Sequence, residues 1–481
     1  MSGTLMIVNT QKLLPWTVKA DYFYLLVLAM GLFSLPAADT LWTKAIPFPG
    51  YNAGGQHCME MSDGSILMTG YLFSTDTANP GRKGFLLKTS GTGEPLWKVL
   101  YDDTVLMWGT SIIKADSSGY FISGISGLTG DPGFNSCDGV ILETDLQGAV
   151  KHRTVFDQGG WDAADFGIST SDSGMAIVGL TQNGSPISVN GWIFKTDLTG
   201  AIQWSRVIGD TNMDVCFDIC QTGDNGYIAT GFTESEDTVS QFRLWLIRLD
   251  SAGEIKWKRS YDGLSDSSSR FGYAVAQAAD NGFIVAGFCG NEVSDVFIIR
   301  MDSTGAELWE KKYGKELIDE ANSIIALPDG GFLVAGKTTL AADSTTDIWI
   351  LRLDSRGDTL WTRTYGGVWN DNAERMTPTS DGCYLIAGST KLTEEGEQHV
   401  WLLKFTPEES KIKPVRDRRI SLPLARTVHK VSFGRAFSRS RFNACGPAAG
   451  TAALFDVRGR SLPWVAKNRA PGLYILRTAD R

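Results

Sequence analysis

A hairpin that returns every 52 to 55 residues constrains this chain more than any other feature. Its clearest copy is Asp347–Trp361, two apolar strands joined by the tight turn Asp354-Ser-Arg-Gly357. Aligned on the tryptophan of the second strand, the copies fall at Trp42, Trp97, His152, Trp204, Trp257, Trp309 and Trp361. A glycine stands four residues earlier in the last six, at Gly93, Gly148, Gly200, Gly253, Gly305 and Gly357. A short hairpin turn with a bulge needs a residue with φ > 0 there, and glycine supplies it. Asp145, Asp197, Asp250, Asp302 and Asp354 precede those glycines, placed to accept backbone N–H groups in the turn.

A second hairpin signal lies upstream in each unit, as in Asp329-Gly-Gly-Phe-Leu-Val-Ala-Gly and Asp381-Gly-Cys-Tyr-Leu-Ile-Ala-Gly. Eight residues before that turn stands a small residue: Gly55, Gly109, Ala164, Cys216, Gly272, Ala321 or Ala373. Each unit therefore has four strands, A at the small residue, B and C either side of the variable loop, and D with the tryptophan. Four strands at a period near 50 predict a β-propeller. Seven A–B–C sets span 53–406, but only six D strands follow them; the seventh, around Trp42, precedes the first A strand. The reading is an all-β, seven-bladed β-propeller over 39–406, closed by its N-terminal strand, which removes the open edge.

Composition fits that reading. The chain has 53 Gly and only 16 Pro, with 43% hydrophobic residues, as expected of many tight turns around an extensive core. The net charge of −9 is the sum of two opposed parts. Residues 411–481 hold 16 Lys/Arg against 3 Asp/Glu (+13), which leaves 29 against 51 (−22) for the rest. An acidic body repels phosphates, so no nucleic-acid partner is expected. The seven cysteines have no pairing or zinc-site spacing. Cys216 reads as a small core residue.

The ends read differently. Residues 1–38 form a signal peptide, with the uncharged run Tyr22–Leu35 behind Lys12 and Lys19 and ahead of Pro36-Ala-Ala; the alternative is an N-terminal membrane anchor. Residues 407–440 form a basic linker, and 441–481, or a segment beginning near 411, form a small C-terminal domain.

Two resemblances add to this. Tyr365-Gly-Gly, Asp381-Gly…Ala387-Gly388 and Trp401-Leu-Leu-Lys resemble the delta-60-type propeller repeats of secreted bacterial proteins. Ala452-Ala-Leu-Phe-Asp-Val-Arg-Gly-Arg-Ser-Leu and Ala470-Pro-Gly-Leu-Tyr-Ile-Leu-Arg resemble the type A C-terminal sorting domain of type IX secretion. That resemblance implies a small β-sandwich-like domain, the secretion machinery as a partner, and a secreted or cell-surface destination with no membrane span in the mature protein. The alternative is a two-stranded tail packed on the propeller. The Asp-x-x-Gly-x-x-x-Trp turn also resembles the tryptophan-docking motif of pyrroloquinoline-quinone dehydrogenases. That resemblance implies eight blades and adjacent cysteines, and this chain has neither.

Function is expected on the face that carries the D–A and B–C connections, because the B–C loops vary while the hairpin turns do not. Four D–A connections place an aspartate two residues before the small position: Asp162, Asp214, Asp319 and Asp371. They read either as an acidic ring for cations or sugar hydroxyls or as caps for their own loops. Trp108, Trp161 and Trp369 lie in or beside the same connections, as stacking platforms for a ligand or as packing between blades. These seven are the candidate ligand-binding residues. No catalytic set, metal site or cofactor is signalled: the four histidines fall at unrelated positions and no nucleophile elbow or phosphate loop occurs. The expected function is a monomeric, non-enzymatic propeller that binds carbohydrate or protein. The alternative is a glycan-active enzyme whose carboxylates come from different blades.

Overall fold

The computed structural model describes residues 40–407, apart from 79, 117, 128–136, 183–187, 210–212, 235–240, 263–267, 291–292, 315–316, 340–344 and 394–395. The signal peptide (1–38), nearly all of the linker (407–440) and the sorting domain (441–481) lie outside the described residues. So do the centres of most B–C loops.

The described residues are all-β, in the arrangement of a β-propeller. The first strand, β1 (Thr40–Ile46), stands apart from its neighbours in sequence. Sheet 1 comprises β2 (Tyr51–Glu60), β3 (Ile66–Ser74), β4 (Arg82–Thr89) and β5 (Pro95–Asp102). A helical turn, α1 (Asp103–Leu106), leads to sheet 2, made of β6 (Trp108–Asp116), β7 (Gly119–Ser126), β8 (Asp138–Thr144) and β9 (Val150–Phe156). Sheet 3 is β10 (Asp162–Ser169), β11 (Met175–Thr181), β12 (Asn190–Thr196) and β13 (Ile202–Ile208). Sheet 4 is β14 (Asp214–Gln221), β15 (Tyr227–Glu234), β16 (Phe242–Leu249) and β17 (Ile255–Tyr261). Sheet 5 is β18 (Arg270–Gln277), β19 (Phe283–Gly290), β20 (Ser294–Met301) and β21 (Glu307–Tyr313). Sheet 6 is β22 (Asp319–Ala326), β23 (Phe332–Thr339), β24 (Thr346–Leu353) and β25 (Thr359–Tyr365). Sheet 7 contains β26 (Asn372–Pro378), β27 (Tyr384–Lys391) and β28 (Gln398–Phe405), with β1 as its outermost strand, antiparallel to β28 and in register from Trp42↔Lys404 to Ile46↔Val400.

Burial explains the strand patterns. The B strands are covered on both faces, as in β7 and β11 where every residue is buried, so they read as continuous apolar runs. The outer strands alternate, as in β25 (Thr359–Tyr365), because one face looks outward. Consecutive sheets share an apolar core. The core between sheets 7 and 1 joins Leu385, Val400 and Leu402 to Met68, Phe85 and Leu87. Equivalent cores lie between sheets 1 and 2, 2 and 3, 3 and 4, 4 and 5, 5 and 6, and 6 and 7. The last sheet thus packs on the first.

The repeat residues hold neighbouring sheets together at the outer rim. Gly93 and Gly357 have φ of +82° and +80°. A side chain there would also collide with the preceding sheet: a Cβ on Gly93 would lie 2.8 Å from the Trp42 ring and one on Gly357 2.7 Å from the Trp309 ring. Glycine is therefore needed both for its backbone and to seat the tryptophan. The hydroxyls of Tyr101 and Tyr261 donate to the carbonyls of Gly148 and Gly305 at 2.7 and 2.6 Å. On the hairpin face, Arg248, Arg300 and Arg352 pair with Asp224, Asp280 and Asp329, tying each C strand to its A–B turn. Among the described residues, no helix is long and apolar enough to cross a membrane.

Candidate functional site at the axial mouth

The A strand is the inner strand of every sheet, and consecutive A strands meet around the axis. Each A strand is bulged directly after its small residue, between Gly55 and His57, Gly109 and Ser111, Ala164 and Phe166, Cys216 and Asp218, Gly272 and Ala274, Ala321 and Ser323, and Ala373 and Arg375. A bulge leaves its extra residue unpaired and re-aims that side chain. The extra residues are Gln56, Thr110, Asp165, Phe217, Tyr273, Asn322 and Glu374. All but Asn322 are half-buried, although the small residues before them are buried throughout, because they border the axial lumen. They touch around the ring: Phe217 and Tyr273 lie 4.8 Å apart between ring centroids, and Thr110 and Asn322 donate to the carbonyls of Ala164 and Ala373 on the next sheet at 2.8 and 2.7 Å.

The residue after each bulge forms a floor across the lumen. Arg375 Nη1 reaches Asp218 Oδ1 at 3.1 Å, joining sheet 7 to sheet 4, which do not adjoin in the ring. The Arg375 guanidinium also lies 3.7 Å from the Phe166 ring centroid on sheet 3, and His57 of sheet 1 meets the edge of Phe166 at 5.7 Å. Other residues of this layer bind the neighbouring sheet. His57 Nδ1, Asp218 Oδ2 and Ser323 Oγ accept the backbone N–H groups of Ile112, Val275 and Met376 at 3.0, 2.8 and 3.1 Å.

Burial sets the charge states. His57 is pushed down to about 3 by burial, with the Arg375 charge adding to it, so it is neutral at physiological pH. Burial raises Asp218, opposed by Arg375 and by the Val275 N–H. Asp165 is half-buried at the lumen, and burial alone lifts its carboxyl to about 7. Among the described residues, no hydrogen bond or ion pair forms to the Asp165 side chain. Glu374 accepts a hydrogen bond from Asn372 Nδ2.

The structure divides the expected ligand residues. Trp108 and Trp161 are 5% and 6% exposed, as packing between blades requires and not as exposed stacking platforms would be. They join Tyr71, Met107, Phe232 and Phe271 in an apolar cluster that runs across sheets 1 to 5, and Trp108 packs 4.3 Å from Tyr71. Trp369 is half-buried, with the Lys391 ammonium 5.6 Å from its ring centroid. Asp162, Asp214, Asp319 and Asp371 are all buried. Asp162 and Asp371 accept the N–H groups of Gln158 and Gly367 through Oδ2 at 2.7 and 2.8 Å, which caps their own loops.

Each corner aspartate meets a partner at the start of a C strand, a pairing that the sequence reading did not find. Asn190 and Asp214 flank Gly209, Asp295 and Asp319 flank Gly314, and Asp347 and Asp371 flank Gly366. Asp371 is lifted to about 7 by burial, with the Asp347 charge adding to it. At the fourth corner, Asp138, Asp157 and Asp162 bring one carboxylate oxygen each within 4.8 Å of one another. Burial raises Asp138, and the charges of Asp157 and Asp162 raise it further. This triplet has the oxygen donors a hard cation prefers. Away from the mouth, a pocket of about 360 Å³ lies on the hairpin face beside Asp224, Arg248, Lys256 and Trp257. Its Asp224 is already paired with both cations.

No family model matches the chain. It is 25% identical over 268 residues to the regulatory protein FlaEY of Caulobacter vibrioides, a match covering 47% of this chain and 28% of that protein. The chain thus spans little more than a quarter of that relative. Among solved structures it is similar to the polysaccharide lyase Uly1 (TM-score 0.47, 10% identity, 79% of this chain and 94% of that one). It is also similar to a protein of unknown function from Dyadobacter fermentans (0.44, 10%, 77% and 100%). A third is the β-propeller domain of the Trilobed protease from Pyrococcus furiosus (0.40, 7%, 75% and 97%).

Proposed function

We propose that this protein is a secreted or cell-surface, non-enzymatic binding scaffold that takes a carbohydrate or protein ligand at the axial mouth. The observation that carries this reading is the set of half-buried bulge residues at the axis, which we read as the wall of a cup. Half-buried Gln56, Asp165, Phe217, Tyr273 and Glu374 line its wall, and the Arg375–Asp218 bridge closes it below. A concave site with aromatic faces and a few convergent polar groups is what small-ligand recognition requires. The cup faces the D–A and B–C connections, since six of the seven bulges fall in the first half of their A strands. Export would follow from the expected leader at 1–38 and the expected sorting segment at 441–481, and a ring closed by β1 suits an extracellular scaffold. Glycan-array and pull-down screening of the full-length chain tests the reading. A ligand whose binding is lost in the Phe217→Ala/Tyr273→Ala variant supports it, and ligands indifferent to that variant refute it.

A second reading, a glycan-active enzyme, is favoured by one observation. Asp165 and Glu374 face the same lumen, and a carboxyl titrating near 7 suits a general acid. Reducing-sugar release that disappears in Asp165→Asn is its test, and release unaffected by that change removes it.

A further inference from the structure

We propose that the axial cup binds an organic cation, a guanidinium or alkylammonium group such as the end of an arginine or lysine side chain, held between the Asp165 carboxylate and the faces of Phe217 and Tyr273. The inference rests on the cup being the ligand site and names the chemistry it selects.

The charge balance of the lumen carries the argument. The single cation of the floor, Arg375, is already matched by Asp218 at 3.1 Å. His57 donates no charge, since burial holds it neutral. What remains on the wall is negative: Asp165, with no partner among the described residues, and Glu374, which accepts only an amide N–H from Asn372. A half-buried carboxylate without a partner is held back from ionising by the protein around it, and a cation entering the cup offsets that effect. Asp165, Phe217 and Tyr273 are the extra bulge residues of three consecutive sheets, so carboxylate and aromatic rings adjoin along one arc. Phe217 is braced by Phe232 at 5.7 Å and Tyr273 by Phe288 at 5.5 Å, which fixes the ring faces in place. A cation over such faces gains further attraction where water is excluded. An anion meets the opposite conditions: two carboxylates and no free positive charge on the wall.

Asp165, near 7 in the free protein, must ionise fully to pair with the cation, so binding at neutral pH releases a proton. The test is isothermal titration of the full-length chain with n-butylguanidinium and with its neutral analogue n-butylurea, in two buffers of different ionisation enthalpy. Butylguanidinium is expected to bind at least tenfold tighter than butylurea and to release about half a proton at pH 7. Asp165→Asn should abolish both the preference and the proton release. Phe217→Leu, which keeps an apolar side chain, should weaken the cation severalfold. Equal affinity for the two probes, or a preference that survives Asp165→Asn, overturns the inference. If a neutral oligosaccharide binds in a Phe217-dependent manner while butylguanidinium does not, the cup stands and the cation fails. If no probe responds to either substitution, both fall. Asparagine is isosteric at 165, and a thermal melt matching the parent establishes that the variant is folded.

Discussion

Sheet 5 breaks the corner pattern, and the break yields the sharpest stability test. Where four other sheets place an aspartate two residues before the small position, sheet 5 has Arg270, whose Nη1 meets Glu310 Oε1 of β21 at 2.6 Å. Both side chains are 2% exposed, and the guanidinium lies 5.5 Å from the Phe297 ring centroid. Two charges taken from water cost several kcal/mol each, an amount their mutual attraction only about matches. The pair as a whole therefore contributes little, but breaking it is expensive. Glu310→Gln removes the charge that the buried guanidinium meets at 2.6 Å, at a cost of about 3–5 kcal/mol. Glu307 lies near enough to feel both Arg270 and Glu310 and can compensate in part, which places the expected loss toward 3 kcal/mol. Urea unfolding followed by tryptophan fluorescence measures it. The double replacement Arg270→Met/Glu310→Leu should recover most of the loss, because no unpaired charge remains. A Glu310→Gln loss below about 1 kcal/mol, or a double variant less stable than the single one, refutes the reasoning.

Deleting residues 40–46 removes the outer strand of sheet 7 and bares the edge of β28. The truncated chain should melt lower and self-associate, and a monomer with an unchanged melt on size-exclusion chromatography would exclude closure by β1. Gly357→Ala forces φ near +80° on an L-residue and pushes into Trp309; a loss of about 1–3 kcal/mol is expected from the backbone strain alone, with the collision adding to it, and an unchanged urea midpoint would refute the requirement for glycine. The Asp347–Asp371 corner should make stability pH-dependent. Asp371 titrates near 7 when folded and near 4 when unfolded, so the native state binds the extra proton between those values. Its contribution is complete below about pH 4 and is lost as pH rises through 7, by at most about 4 kcal/mol. Asp347→Asn removes only the smaller, charge-based part of that shift, so in urea midpoints measured from pH 4.5 to 8 the decline should persist and become slightly shallower; a slope that disappears counts against burial as the main cause.

The scaffold was legible because its signals are local and repeated. Asp354 shows why: its carboxylate accepts the N–H groups of Arg356 and Asp358 at 2.9 and 2.8 Å, a bond within five residues that spacing alone anticipates. The displaced Trp42 likewise marks β1 as the outer strand of sheet 7. The tryptophans of the D–A connections misled for a reason of distance. Trp108 and Trp161 come next to loops, where exposure is the ordinary expectation, but Tyr71 and Phe232 from other sheets close over them. The partners of Asp162 and Asp371 stayed hidden because Asp138 and Asp347 lie 24 residues earlier, in strands whose register no pattern announces.

The axial residues were hidden by the repeat itself. The bulge follows the small residue in all seven A strands, so the fold fixes where the extra side chain goes and leaves its identity free. Gln56, Thr110, Asp165, Phe217, Tyr273, Asn322 and Glu374 share no chemistry, and an alignment of the repeats discards such a position as noise. The next position behaves differently. There His57, Ser111, Asp218 and Ser323 all have acceptors, and each takes a backbone N–H from the following sheet. Phe166, Ala274 and Arg375 cannot accept; Phe166 and Arg375 meet across the lumen instead, and Arg375 also reaches Asp218 there. A structural rule kept in four sheets and broken in three thus marks the side chains that hold the ring, of which Asp218 and His57 also meet the floor residues Arg375 and Phe166. The same comparison carried one residue back, where no rule holds at all, locates the wall of the cup.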